Sequence, residues 1–152
     1  MKETQSRIQV NNESDIVMVR QSGRDLAKRL GFGTVDQVRI TTAISELARN
    51  IFLYTEGGEI CLQSIEKPGK VGLNVYAKDR GPGIDNIRKV LGDGYTTSGG
   101  LGAGLPGVKR LMDEFTIQSE IGEGTEIETT KWMMKDKVGS VEQMQQSQEI
   151  PG

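Results

Sequence analysis

The chain has no histidine among its 152 residues, and this excludes several chemistries outright. It can hold no Ser-His dyad, bind no zinc through imidazole and form no phosphohistidine on itself. A metal site would have to use carboxylates, carbonyls and water, donors that suit hard Mg2+. A general base would be Asp or Glu. Cysteine is nearly absent too: Cys61 stands alone, so no internal disulfide can form, which suits a reducing compartment. Its neighbours Ile60 and Leu62 mark it as a strand packing residue. No run approaches the ~18 apolar residues of a membrane span. The N-terminal Met1-Lys2-Glu3-Thr4-Gln5 carries no apolar signal segment, so a cytoplasmic location is expected. A formal charge of −2 gives no broad pull toward nucleic acid or anionic lipid.

What is present reads as one globular domain with a polar end. Residues Asn12 to Leu30 carry an apolar stripe at Ile16, Val19, Gly23, Leu26 and Leu30, with Gly31 as a C-terminal stop. Thr34 opens a second helix, with Gln37 completing a Thr-x-x-Gln capping pattern. The stripe of that helix runs Ile40, Ile44, Leu47, Ile51, Tyr54 and ends before Gly57-Gly58. Strands follow at about Glu59–Ile65 and Val71–Asp79, joined by the Lys67-Pro68-Gly69-Lys70 turn. A short helix near Asp85–Leu91, a Gly/Ser/Thr-rich loop from Gly92 to Gly104, a helix over Leu105–Asp113 and strands at Phe115–Ser119 and Thr125–Trp132 complete the pattern. The order predicts an α+β two-layer sandwich, its sheet mixed but mostly antiparallel and its helices on one face. Residues 1–134 form the expected domain. Residues 135–152, Gln-rich and poor in large apolar side chains, are expected to be a disordered tail.

Four short stretches carry the chemistry. Glu46 and Asn50 lie one helical turn apart on the shoulder of the buried stripe. They are either a solvated polar edge or a carboxylate and an amide facing a cleft, fit to take a proton and to ligate Mg2+. In Val71–Asp79, period-two alternation carries Asp79 onto the apolar face of Val71, Leu73, Val75 and Ala77. A carboxylate there needs a partner. It either caps its own Arg80-Gly81-Pro82-Gly83 turn or meets an exocyclic amino group such as that of adenine. The run Ser98-Gly99-Gly100-Leu101-Gly102-Ala103-Gly104 enters a helix N-terminus, and is either a surface loop or a cradle of bare backbone for phosphate. Gly122-Glu123-Gly124-Thr125 is the fourth stretch. Gly102 to Gly107 literally fits G-x-G-x-x-G, but no strand precedes it and too few residues follow for a second βαβ half; no P-loop pattern occurs.

In order and spacing, Glu46…Asn50, Asp79-x-Gly81-x-Gly83, the glycine run and Gly122-x-Gly124-Thr125 resemble the N, G1, G2 and G3 boxes of the GHKL ATPase/kinase superfamily. The likeness spans about Arg7 to Met133. Within it, Gly31–Asp36, Ile40–Asn50 and Thr97–Phe115 resemble the stressosome serine/threonine kinases, small relatives of the anti-sigma-factor kinases. The resemblance implies a Bergerat ATP-binding fold using ATP and Mg2+. It implies Asn50 as the Mg2+ ligand and Glu46 as the catalytic carboxylate. Asp79 would meet adenine, with Thr125 supporting it and Gly81 and Gly83 shaping the pocket. Gly99, Gly100, Gly102 and Gly104 would form a lid over the phosphates. Ile51-Phe52-Leu53-Tyr54 departs from the Ala and Lys or His that often continue the Asn box, leaving Lys109 and Arg80 as candidate phosphate cations. The implied substrates are STAS-domain proteins of a stressosome, and the implied target after release is a metal-dependent serine phosphatase. Direct nucleic-acid or membrane binding is not expected. An anti-sigma-factor-type kinase and a non-catalytic partner-binding switch are the alternative readings.

Overall fold

The computed structural model describes residues 5–84, 91 and 104–135. The first strand, β1 (Gln5–Val10), was not anticipated from the sequence. Helix α1 (Glu13–Leu30) follows it. Asn12 caps the helix by accepting from the Asp15 amide at 3.2 Å, while Asp15 Oδ2 accepts from the Asn12 amide at 3.1 Å. This reciprocal box satisfies backbone donors that a helix start leaves orphaned. Gly31 ends α1 in the left-handed region, at φ 97°, as expected.

Helix α2 (Thr34–Tyr54) has the expected bounds, but its cap and the burial of its last turn differ from expectation. Its N-cap is Gly33, with no side-chain cap, and Gln37 Nε2 instead donates to the Phe32 carbonyl at 2.8 Å. The Thr-x-x-Gln pattern therefore does not act as a capping box. At the other end the buried stripe stops at Ile51, and Tyr54 is exposed. Gly23 lets α1 approach α2 closely, because a Cβ there would run into Ile44 Cδ1.

The strands β2 (Gly58–Lys67), β3 (Lys70–Asp79), β4 (Glu114–Glu120) and β5 (Gly124–Met134) join β1 in a sheet of order β1-β2-β3-β5-β4. Every pairing among the described residues is antiparallel, so the sheet is not mixed there. Alternation divides its two faces. Ile60, Leu62, Leu73, Val75, Ala77 and Ile127 point into one core with Val19, Leu26, Ile40, Ile44 and Leu47 of the helices. The opposite face is polar: Gln63 donates to Asn74, Asn74 donates to Thr130 and Glu128, and Tyr76 donates to Glu126 at 2.6 Å. The helices thus cover one face, as the two-layer reading requires.

Helix α3 (Gly104–Leu111) packs on α2 through a side that buries Leu105, Pro106 and Val108. Lys131 fastens its far end. The Lys131 ammonium donates to the Leu111 carbonyl at 3.2 Å and to Asp113 at 3.4 Å, and lies 3.8 Å from Asp36. A cation this buried is tolerable only because all three partners are anionic or dipolar. The short helix expected near residues 85–91 lies, apart from Leu91, outside the described residues, as do the loop up to residue 103 and the tail from 136.

Candidate functional site

The register collects the site at one end of the sheet. Asp79, the last residue of β3, stands opposite Gly58, the first of β2. Ser119 and Thr125 stand opposite each other where β4 gives way to β5. Three chain turns therefore meet around one carboxylate.

Asp79 fills one of the two roles left open for it, the cap of its own turn. Its Oδ1 accepts from the Gly81 amide at 2.8 Å, capping its own turn, and from the Thr125 amide at 3.2 Å. Among the described residues Oδ2 accepts no hydrogen bond. One oxygen is thus fixed by two backbone donors while the other keeps its acceptor capacity, which an ionised carboxylate can offer to an amino group. Lining the space beside it, about 640 Å3, are Ser119, Gly124 and Thr125 together with Lys78, Gln118 and the carboxylate-bearing Glu120, Glu123 and Glu126.

Backbone approach sets the shape of this end. A Cβ on Gly83, at φ 84°, would strike the Glu120 carbonyl, and one on Gly124, at φ 130°, would strike the Asp79 carbonyl. Both positions need glycine for conformation and for space. The Gly122 amide donates to the Pro82 carbonyl at 2.8 Å, tying the β4–β5 turn to the turn after Asp79.

Ser119 was not singled out in the sequence, where it is one of several Ser and Thr in an alternating strand. The Ile84 amide donates to its hydroxyl at 2.7 Å; the same oxygen lies 3.1 Å from the Gly124 carbonyl and 2.8 Å from Thr125 Oγ1. Only the meeting of the turn after Asp79 with the β4–β5 turn shows its position to matter.

The two residues expected to form the helical part of the site lie on α2. Glu46 is buried, at 3% exposure, and Asn50 one turn later is partly buried. Glu46 also borders a groove of about 530 Å3 between α1 and α2, which Arg20, Ser45, Arg49, Phe52 and Leu53 share. Gly104 is buried and begins α3 at φ 67°, while Gly99, Gly100 and Gly102 lie outside the described residues. Lys109 and Arg80 are exposed. No cluster of three or more acidic or Cys side chains able to hold a metal occurs among the described residues. The donors on α2 suit a hard ion that keeps most of its shell in water and phosphate, with one Asn oxygen contributed by the protein. The residues present therefore fit ATP with Mg2+.

The model of the histidine kinase-, DNA gyrase B- and HSP90-like ATPase family matches residues 35–134. The chain belongs to that family. It is 63% identical over 129 residues to the serine/threonine-protein kinase RsbT of Bacillus subtilis (strain 168), covering 85% of this chain and 97% of that one. Within the family it is accordingly a serine/threonine protein kinase. The anti-sigma F factor of Geobacillus sp. (strain WCH70) is 30% identical over 112 residues, covering 68% of this chain and 75% of that protein. Among solved structures, the RsbU and RsbW domains of Rv1364c from Mycobacterium tuberculosis match with a TM-score of 0.57 at 19% identity. That match covers 86% of this chain and 32% of the longer one, and it supports the fold alone.

Proposed function

We propose that this kinase moves the γ-phosphoryl group of ATP to a serine or threonine of STAS-domain stressosome proteins and, once released, activates a metal-dependent serine phosphatase. The observation that carries the nucleotide reading is Asp79, with Oδ1 held by two amides and Oδ2 still able to accept. The 63% identity to RsbT supports the choice of acceptor hydroxyl.

Each residue then has a task. Asp79 receives the adenine amino group, with Thr125 beside it, while Gly81 and Gly83 give the pocket its close walls. Gly99, Gly100, Gly102 and Gly104 supply backbone amides around the phosphates. Asn50 offers its side-chain oxygen to Mg2+, which when bound offsets the charge of the phosphate oxygens. Glu46 takes the proton of the incoming hydroxyl as the new O–P bond forms, and the bond from the γ-phosphorus to the β-phosphate bridge breaks to release ADP. Burial of Glu46 keeps bulk water from competing for that proton. The described helices include none long and apolar enough to cross a membrane, and a cytoplasmic site of action fits such partners.

Similarity to an anti-sigma F factor favours one second reading, in which the acceptor is the antagonist of a sigma-factor-binding kinase. Offering the protein both acceptor classes with ATP and mapping phosphate by mass spectrometry separates the two. Phosphate should appear on Ser or Thr of the stressosome STAS protein, and Glu46→Ala should transfer at least about a hundredfold more slowly while still binding ATP. Transfer by Glu46→Ala at the wild-type rate would remove Glu46 from the chemistry.

A further inference from the structure

The hydroxyl of Ser119 has one proton to give and two lone pairs to fill. Three groups reach its Oγ: the Ile84 amide at 2.7 Å, the Gly124 carbonyl at 3.1 Å and the Thr125 hydroxyl at 2.8 Å, which has a proton of its own. If Ser119 donated to Thr125, the Gly124 carbonyl would lose this partner and one Ser119 lone pair would go unused. If Ser119 donates to Gly124, it accepts from both the Ile84 amide and the Thr125 hydroxyl, and every group is served. The second arrangement makes one more hydrogen bond and prevails on that count.

That arrangement has a chemical consequence for the pocket. With its proton turned toward Ser119, Thr125 Oγ1 offers only lone pairs. The Asp79 carboxylate, whose Oδ1 accepts from the Gly81 amide and from the Thr125 amide at 3.2 Å, is an acceptor too. Asp79, Ser119 and Thr125 line the same cavity.

We propose that Ser119 is a specificity-determining residue: by holding the Thr125 proton out of the pocket, it leaves Thr125 and Asp79 as acceptors only, which match the N–H donors of a 6-amino purine and reject a 6-oxo purine. The proposal rests on the reading of Asp79 as the carboxylate that meets the nucleobase. A 6-oxo group would face two acceptors and remain unpaired, the kind of mismatch through which polar sites discriminate most strongly. Without Ser119, the Thr125 hydroxyl is free to turn and donate to the oxo group.

The test compares ATP with inosine triphosphate, which differ at the purine 6-position and N1 protonation, by calorimetric titration of the full chain. Wild type should prefer ATP strongly. Ser119→Ala should narrow the ATP-to-inosine-triphosphate affinity ratio about tenfold, the size of one lost hydrogen-bond constraint. Ser119→Cys keeps the shape with a weaker donor and acceptor and should narrow it less; it also serves if the alanine variant does not fold. A purely structural role would weaken both nucleotides in parallel, and an unchanged ratio in a folded variant would overturn the proposal. Wild-type protein that binds neither nucleotide would instead overturn the nucleotide reading of Asp79.

Discussion

An amide in place of the Asp79 carboxylate would keep its size but change what it presents. The oxygen of the new side chain could still accept from the Gly81 and Thr125 amides, so the turn and the fold should survive. The other atom would become a donor facing the adenine amino group, leaving mismatched polar groups at about 1–3 kcal/mol each. Asp79→Asn should therefore abolish measurable ATP binding with a native circular dichroism spectrum, and unchanged affinity would take Asp79 out of the site. The sequence carried this residue to the correct face by period two but left its two roles as alternatives. The structure shows the turn-capping role, with Oδ1 held by the Gly81 and Thr125 amides, and leaves the nucleobase role to the proposed function. Ser119 was not legible because nothing in a strand of alternating Ser, Thr and Glu marks which hydroxyl will meet the turn after Asp79 and the β4–β5 turn together.

At the scale of elements, the long helices and the β2–β3 hairpin were readable because their periods are strong and their breaks are glycines. β1 was missed: in Gln5-Ser6-Arg7-Ile8-Gln9-Val10 only Ile8 and Val10 mark the inner face, and pairing with β2 makes it a strand. The start of helix α2 was read correctly at Thr34 but not its cap, because Gly33, lacking a side chain, gives no capping signature, and the Gln37 side chain turns back to Phe32. The polar face of the sheet has its own pH signature. The Tyr76 phenol is pushed up to about 12, first by its hydrogen bond to Glu126, then by burial and by the Glu126 charge. The folded state thus holds this proton more tightly than the unfolded chain, where the phenol titrates at its ordinary value of 10.0. The stabilisation is complete below about pH 10 and is lost as pH rises through about 12. Tyr76→Phe should remove that component, giving a variant less stable than wild type at neutral pH whose urea midpoint falls less steeply between about pH 10 and about pH 12. Parallel pH curves for the two proteins would show that the Glu126 bond contributes nothing.

For the whole molecule, composition leads to the expectation of a domain over residues 1–134 and of a tail over residues 135–152 with few large apolar side chains to bury. Deleting residues 136–152 should leave the melting temperature and ATP affinity almost unchanged, and a loss of several degrees would show the tail docking on the domain. The architecture was legible from element order, while the wholly antiparallel pairing of the described strands was not, since strand partners are chosen by packing rather than by local pattern. Under the proposed function, a phosphate newly placed on the acceptor would add about −1.5 to −2 charge at the surface where the kinase docks, which would favour its release to a second partner. The most direct test of the central claim is one time course: γ-labelled ATP, Mg2+ and a stressosome STAS protein, with wild-type kinase or Asp79→Asn. Label should accumulate on a serine or threonine of the STAS protein with wild type and remain at background with Asp79→Asn. Equal labelling by the two proteins, or none with wild type, would contradict the account.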